Sequence, residues 1–257
     1  GIFDSGLGGL TILKSLKKKL PNERFIYFGD TANIPYGNKS RQTIEGYCLD
    51  VVNFLKNKKV KLIVIACNSA SSVALEVIKA NSSIPIIDVI SPTVDKINQE
   101  GKLKNIGIIG TQTTITSSSY QNQIKKLNKN INVITQSCPL FVPIIEAGFY
   151  NDKIADQAIS LHLEKLKNNK IDALVLGCTH YPILYKKIKN FLNTKIIDSP
   201  KATSHVVNKF LDENQLHVLE NSYLNDEYYV SDQIMEFNKM ATLFLAQKID
   251  KAIQIKL

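Results

Sequence analysis

Short apolar runs alternate with amphipathic stretches along most of this chain, the pattern of an α/β protein with a mostly parallel sheet. Ile2-Phe3 reads as the end of a first strand, followed by a glycine-rich turn. A helix comes next, with Leu10, Leu13, Leu16 and Leu20 at helical spacing, stopped by Pro21-Asn22. Residues 24–28, 60–66 and 84–90 read as strands. Residues 40–58 read as a helix with Ile44, Cys48, Val51 and Leu55 on one face, and a further helix runs through Val73 and Val77. A second series repeats the scheme: strands at 105–110, 131–135, before Cys178 and at 195–197, and a helix over 152–167 with Ile154, Ala158, Leu161 and Leu166 among its apolar positions. A C-terminal helix over 233–248 carries Met235, Met240, Leu243 and Phe244. Ile2-Phe3-Asp4-Ser5-Gly6 echoes Ile196-Ile197-Asp198-Ser199-Pro200, and Ala66-Cys67-Asn68-Ser69 echoes Gly177-Cys178-Thr179-His180. Such an echo is what two similar α/β halves facing each other leave in a sequence. Ser91-Pro92 marks a candidate boundary between them.

Two of these strands end in cysteine. Cys67 closes the run from Val60 and Cys178 the run from Ile171, and each is followed by residues able to cap a helix. Ligands of open α/β sheets bind at the carboxyl edge of the strands. Two matched thiols at two such edges point to one substrate held between two acid/base groups. A cysteine at a helix start gains thiolate stability from the dipole, so its pKa is expected to fall from about 8.5 toward neutrality. The competing reading is a buried, inert cysteine, and it is the preferred one for Cys48 and Cys138. Asn68, Ser69 and Thr179 serve as helix caps or as substrate contacts. His180, beside Cys178, is placed to move or orient a proton. His162, His205 and His217 have no such context and are expected at the surface.

The turn Asp4-Ser5-Gly6-Leu7-Gly8-Gly9 follows a strand and opens a helix. It offers free N–H groups to an anion, or it is simply a tight turn requiring positive φ at glycine. It matches neither the dinucleotide fingerprint nor the P-loop.

Composition narrows the field. The chain has 257 residues and a net charge of +9, which raises a nucleic-acid reading. Only Arg24 and Arg41 among its 32 basic residues are arginine, the side chain that reads phosphates and bases in bidentate fashion. The scattered lysines read as solvated surface, so no nucleic-acid partner is expected. No apolar stretch approaches the roughly 18 residues of a membrane helix, and no secretory leader pattern opens the sequence. The four cysteines are too far apart for a zinc ribbon or a CxxC pair, and the histidines are dispersed. No metal site is expected, and a reducing cytoplasm fits.

The motifs together resemble the glutamate racemases of the aspartate/glutamate racemase superfamily. They are Phe3–Gly9, Gly29-Asp30-Thr31-Ala32 with Pro35-Tyr36-Gly37, Ala66–Ser71, Gly110-Thr111, Pro139–Pro143 before Glu146, and Gly177–Pro182, in family order and spanning nearly the whole chain. Ser69 stands where the family usually has threonine. The resemblance implies two similar doubly wound α/β domains with the active site in the cleft between them: 1–93 plus 204–257, and 94–203. It implies cofactor-independent racemisation of glutamate, with Cys67 and Cys178 as the two bases at Cα. Asp4 would assist Cys67, and His180 with Glu146 would assist Cys178. Asp4, Ser5, Pro35, Tyr36, Gly37, Asn68, Ser69, Thr111, Thr114, Thr179 and His180 would bind substrate. The implied role is supply of D-glutamate for bacterial peptidoglycan, and a homodimer is the assembly common in the family. The nearest rival is an aspartate racemase or related two-cysteine isomerase. A rival of another class is a non-catalytic protein that holds an acidic partner.

Overall fold

The computed structural model describes residues 1–218, 225–249 and 251–257. The chain opens with β1 (Ile2–Asp4), α1 (Leu10–Lys19), β2 (Ile26–Gly29), α2 (Arg41–Asn57), β3 (Ile63–Ile65), α3 (Asn68–Val73), α4 (Leu75–Asn81), β4 (Ile86–Asp88) and α5 (Ile90–Gln99). It continues with β5 (Asn105–Gly110), α6 (Gln112–Thr116), α7 (Ser119–Leu127), β6 (Asn132–Ser137), α8 (Phe141–Glu146), α9 (Lys153–Asn168), β7 (Ala173–Gly177), α10 (Tyr185–Leu192) and β8 (Lys195–Ile197). α11 (Ser199–Glu213), β9 (Glu227–Val230), α12 (Ile234–Leu245) and β10 (Ile253–Gln254) complete it.

The strands form two parallel sheets, one of six strands in the order β10-β9-β2-β1-β3-β4 and one of four in the order β6-β5-β7-β8. The continuous apolar runs are the central strands, buried from both faces as parallel sheets require. Helix signals act as expected. Leu10, Leu13 and Leu16 bury one face of α1 while Lys17, Lys18 and Lys19 fill its last turn, complementing the dipole. Ser40 caps α2 by accepting the Thr43 N–H at 3.2 Å. No helix among the described residues is long and apolar enough to cross a membrane.

Several details depart from the sequence expectations. Ser91 and Pro92 do not form a linker. They lie in the first turn of α5, where proline is tolerated and where Asp88 accepts the N–H groups of Ile90 and Ser91 at 2.9 and 3.0 Å. The chain therefore crosses from one sheet to the other along a helix, and α11 carries it back. On α9 the buried stripe is Ala155, Ala158, Ile159, Leu163 and Leu166, which turns Ile154 and Leu161 to solvent (47% and 71% exposed). Met235 on α12 is likewise exposed. β9, β10 and the helices α5, α6, α7, α8, α10 and α11 are additions to the expected set.

Candidate active site

Both cysteines stand where a strand hands over to a helical turn, one on each sheet. Cys67 follows β3 and caps α3, its Sγ accepting the Ala70 N–H at 3.5 Å. Cys178 follows β7, ahead of a helical turn at Tyr181–Leu184. The loops at these two carboxyl edges meet around one small cavity of about 30 Å³. Cys67 and Cys178 both line it, with Ser5, Pro35, Tyr36, Gly37, Asn68, Ser69, Thr111, Glu146, Thr179 and His180. Ile34, Val142 and Gly177 complete the wall. They are apolar or side-chain-free neighbours of the chemical residues, so nothing in their own chemistry announces them.

Two expected site residues stand one layer back. Thr114 is buried behind Thr111, with its Oγ1 3.1 Å from that of Thr111 and 3.5 Å from Ser69 Oγ. Thr111 in turn contacts Ser69 Oγ at 2.9 Å, so three hydroxyls join α3 to the start of α6. Asp4 is wholly buried. It accepts the Gly6 N–H at 3.0 Å and the Thr179 hydroxyl at 3.3 Å. The glycine-rich turn thus directs N–H groups at the protein's own carboxylate. Its glycines do not adopt positive φ, since only Gly101 and Gly148 do so among the described glycines. Gly8 and Gly9 instead allow close approach. A Cβ on Gly9 would lie 2.5 Å from that of Asp4, and one on Gly8 would lie 2.2 Å from Thr179 Oγ1. Tyr36 turns its hydroxyl away from the cavity, donating to Asp30 Oδ2 at 2.6 Å.

The electrostatics of the two halves differ. Burial, reinforced by the charge of Asp4, pushes the Cys67 thiol up to about 12. The expected fall toward neutrality is not realised, because α3 is a single short helix and desolvation outweighs its dipole. Burial also raises Asp4, against His180 and the N–H groups that favour its charged form. At His180 burial opposes the proton, yet hydrogen bonds with Cys178 and Glu146 prevail and lift it to about 10. The Nε2–Glu146 Oε1 separation is 3.1 Å. His180 therefore carries its proton at neutral pH, beside Cys178. Because its folded-state value exceeds the ordinary 6.5, the stabilisation is complete below about pH 6.5 and is lost as pH rises through about 10. Calorimetry should show Tm falling across that window, and Glu146→Gln should flatten the fall. An unchanged profile in the variant would remove Glu146 from this role.

Cys48 and Cys138 are buried, Cys48 on the core face of α2. His162 is half-buried edge-on to Phe141, and His217 lies beside Glu23 and Asp212; only His205 is exposed as expected.

A thiol stands at the carboxyl edge of each of two parallel sheets, facing one cavity, as the resemblance to the racemases implies. The profile of the Asp/Glu/Hydantoin racemase family matches residues 10–206. The chain is 40% identical to the glutamate racemase of Geobacter metallireducens over all of this chain and 96% of that one. It is also 40% identical to that of Aquifex aeolicus, over 98% of this chain and 96% of the relative. The crystal structure of Francisella tularensis glutamate racemase in complex with D-glutamate superposes with a TM-score of 0.95 at 40% identity, covering 100% and 96% of the two chains. Picrophilus torridus aspartate racemase shares the fold, with a TM-score of 0.60 at 18% identity over 84% of this chain and 97% of that one. The chain belongs to the Asp/Glu racemase family of isomerases, and within it to the glutamate racemases.

Proposed function

We propose that this protein interconverts L- and D-glutamate by two-base proton transfer at Cα. The observation that carries the reading is the pair of thiols lining one cavity, Cys67 from the first sheet and Cys178 from the second. Cys67 as thiolate takes the Cα proton of D-glutamate, and Cys178 as thiol delivers its proton to the opposite face, leaving L-glutamate. The reverse reaction exchanges the roles. The proton removed is very weakly acidic, so donors must stabilise the carbanionic state and water must be excluded. The cavity walls come from the loops of both sheets, and on this reading those loops part to admit glutamate and enclose it on closing. Bound glutamate brings an ammonium group, the positive charge that a Cys67 thiolate needs beside Asp4. Protonated His180, held by Glu146, supports Cys178. Asn68, Ser69, Thr111 and Thr179 offer N–H and O–H groups to the substrate's carboxylates, with Ser5 and the Pro35-Tyr36-Gly37 loop closing the wall.

On this reading residues 1–93 plus 204–257 and residues 94–203 are the two domains that move. The enzyme works without a cofactor in the cytoplasm, as a homodimer, and supplies D-glutamate for peptidoglycan. The test is incubation with D-glutamate and, separately, D-aspartate in D₂O with no cofactor added. Loss of optical activity with deuterium at Cα is expected for glutamate alone. Turnover of aspartate but not glutamate would transfer the assignment to aspartate racemase.

A further inference from the structure

Nothing in the sequence singles out Tyr120 on α7. Its side chain is fully buried and packs in the core of the second sheet with Ile106, Ile108 and Val175. Its hydroxyl donates a 2.7 Å hydrogen bond to Asn68 Oδ1, on the residue that follows Cys67. Its ring backs onto the residue that precedes Cys178, since a Cβ on Gly177 would lie 3.4 Å from Tyr120 Cε2. One side chain thus touches the flank of both thiols.

A carboxamide has an acceptor end and a donor end. With Oδ1 bonded to Tyr120, the Nδ2 end of Asn68 has no protein partner among the described residues, and Asn68 lines the cavity between the cysteines. The two amide orientations differ in sign toward an anion: one presents N–H groups to a carboxylate, the other presents an oxygen and repels it. We infer that Tyr120 is a positioning residue for the reaction, locking the Asn68 amide so that its N–H groups meet a carboxylate of the bound amino acid. The inference rests on the glutamate reading above.

Tyr120→Phe keeps the ring and removes the hydroxyl. The expected result is a KM for both glutamate enantiomers raised about tenfold, or about 1.4 kcal/mol, with kcat within about twofold, because the amide meets the same carboxylate in the ground and transition states. In an Asn68→Ala background the same change should raise KM no further. Ile124→Val, in the same helix and core, disturbs packing alone and should leave KM unchanged. An unchanged KM in Tyr120→Phe, or an equal rise in the Asn68→Ala background, would overturn the inference while leaving the glutamate reading intact. A wild-type protein inactive on glutamate would overturn both. Thermal melting checks the fold of each variant. Should Tyr120→Phe not fold, Asn68→Asp decides: it keeps the acceptor for Tyr120 and replaces the N–H groups by an oxygen, so an unchanged KM there also overturns the inference.

Discussion

Cys67→Ser and Cys178→Ser are each expected to lower racemisation in both directions by more than about 10³-fold, within the range set by loss of a general acid or base. A hydroxyl has the size to replace a thiol but does not ionise in the working range. The two losses should nevertheless be distinguishable. In D₂O, Cys67→Ser can no longer remove the Cα proton of D-glutamate, so that enantiomer keeps its hydrogen. Cys178 still removes the proton of L-glutamate and, finding no partner across the cleft, returns a deuteron to the face it came from. L-glutamate therefore exchanges without inversion. Cys178→Ser should give the mirror image, exchanging D-glutamate only. Proton NMR read beside polarimetry follows both events in one sample. Equal exchange of the two enantiomers in either variant would mean that one group serves both faces of Cα, and the two-base reading would fail.

Gly8→Ala carries the second-largest expected effect. The added methyl would lie 2.2 Å from Thr179 Oγ1 and 2.5 Å from His180 Nδ1, both far inside van der Waals contact. Thr179 and His180 follow Cys178 directly, so the clash falls on the segment that aims the second thiol. Yielding by about 1 Å at a reacting group can cost on the order of 10²-fold in rate, and overpacking of a buried site typically costs about 1–3 kcal/mol of stability. We expect kcat to fall by about that factor and Tm to drop by several degrees, with far-UV circular dichroism unchanged. A variant of wild-type activity would show that the turn and the Cys178 segment can separate freely. Gly46 is the natural control, since nothing lies within 4 Å of a Cβ there.

How much of this could be read beforehand follows from what each feature depends on. β1, β3, β5 and β7 are continuous apolar runs, and burial from both faces makes such strands conspicuous. β9 is only Glu227–Val230, and its place in the sheet comes from pairing with β2, a partner some 200 residues away. α11 was hidden because its buried face includes Ser199, Thr203 and Ser204. Ser204 meets Ser15 of α1 at 3.1 Å, and hydropathy does not register small hydroxyls that pack a helix crossing. Cys67, Cys178 and the polar residues beside them were legible because they follow strand ends, whereas Tyr36, Thr111 and Glu146 came only with the family resemblance, Glu146 standing at the end of α8. The layering behind them was not: Asp4 and Thr114 contact Thr179 and Thr111 from behind the cavity wall, and Tyr120 lies on a helix with no chemistry of its own. The Cys67 thiol departs from its sequence expectation for a related reason. A helix start is visible in sequence, whereas the depth at which it is buried is a property of the assembled fold.

The pairing of β9 with β2 also has a consequence in time. Every side chain lining the cavity lies at or before His180, so a growing polypeptide holds all its reactive groups long before synthesis ends. At that stage β2 has β1 on one side and nothing on the other, and Tyr27 still lacks Phe237, the aromatic ring it packs against at 5.9 Å. An open row of N–H and C=O groups beside exposed aromatic surface invites pairing with another chain. The ribosome must pass from His180 to Val230 before that flank is sealed, and a product terminated in between would be chemically complete and yet adhesive.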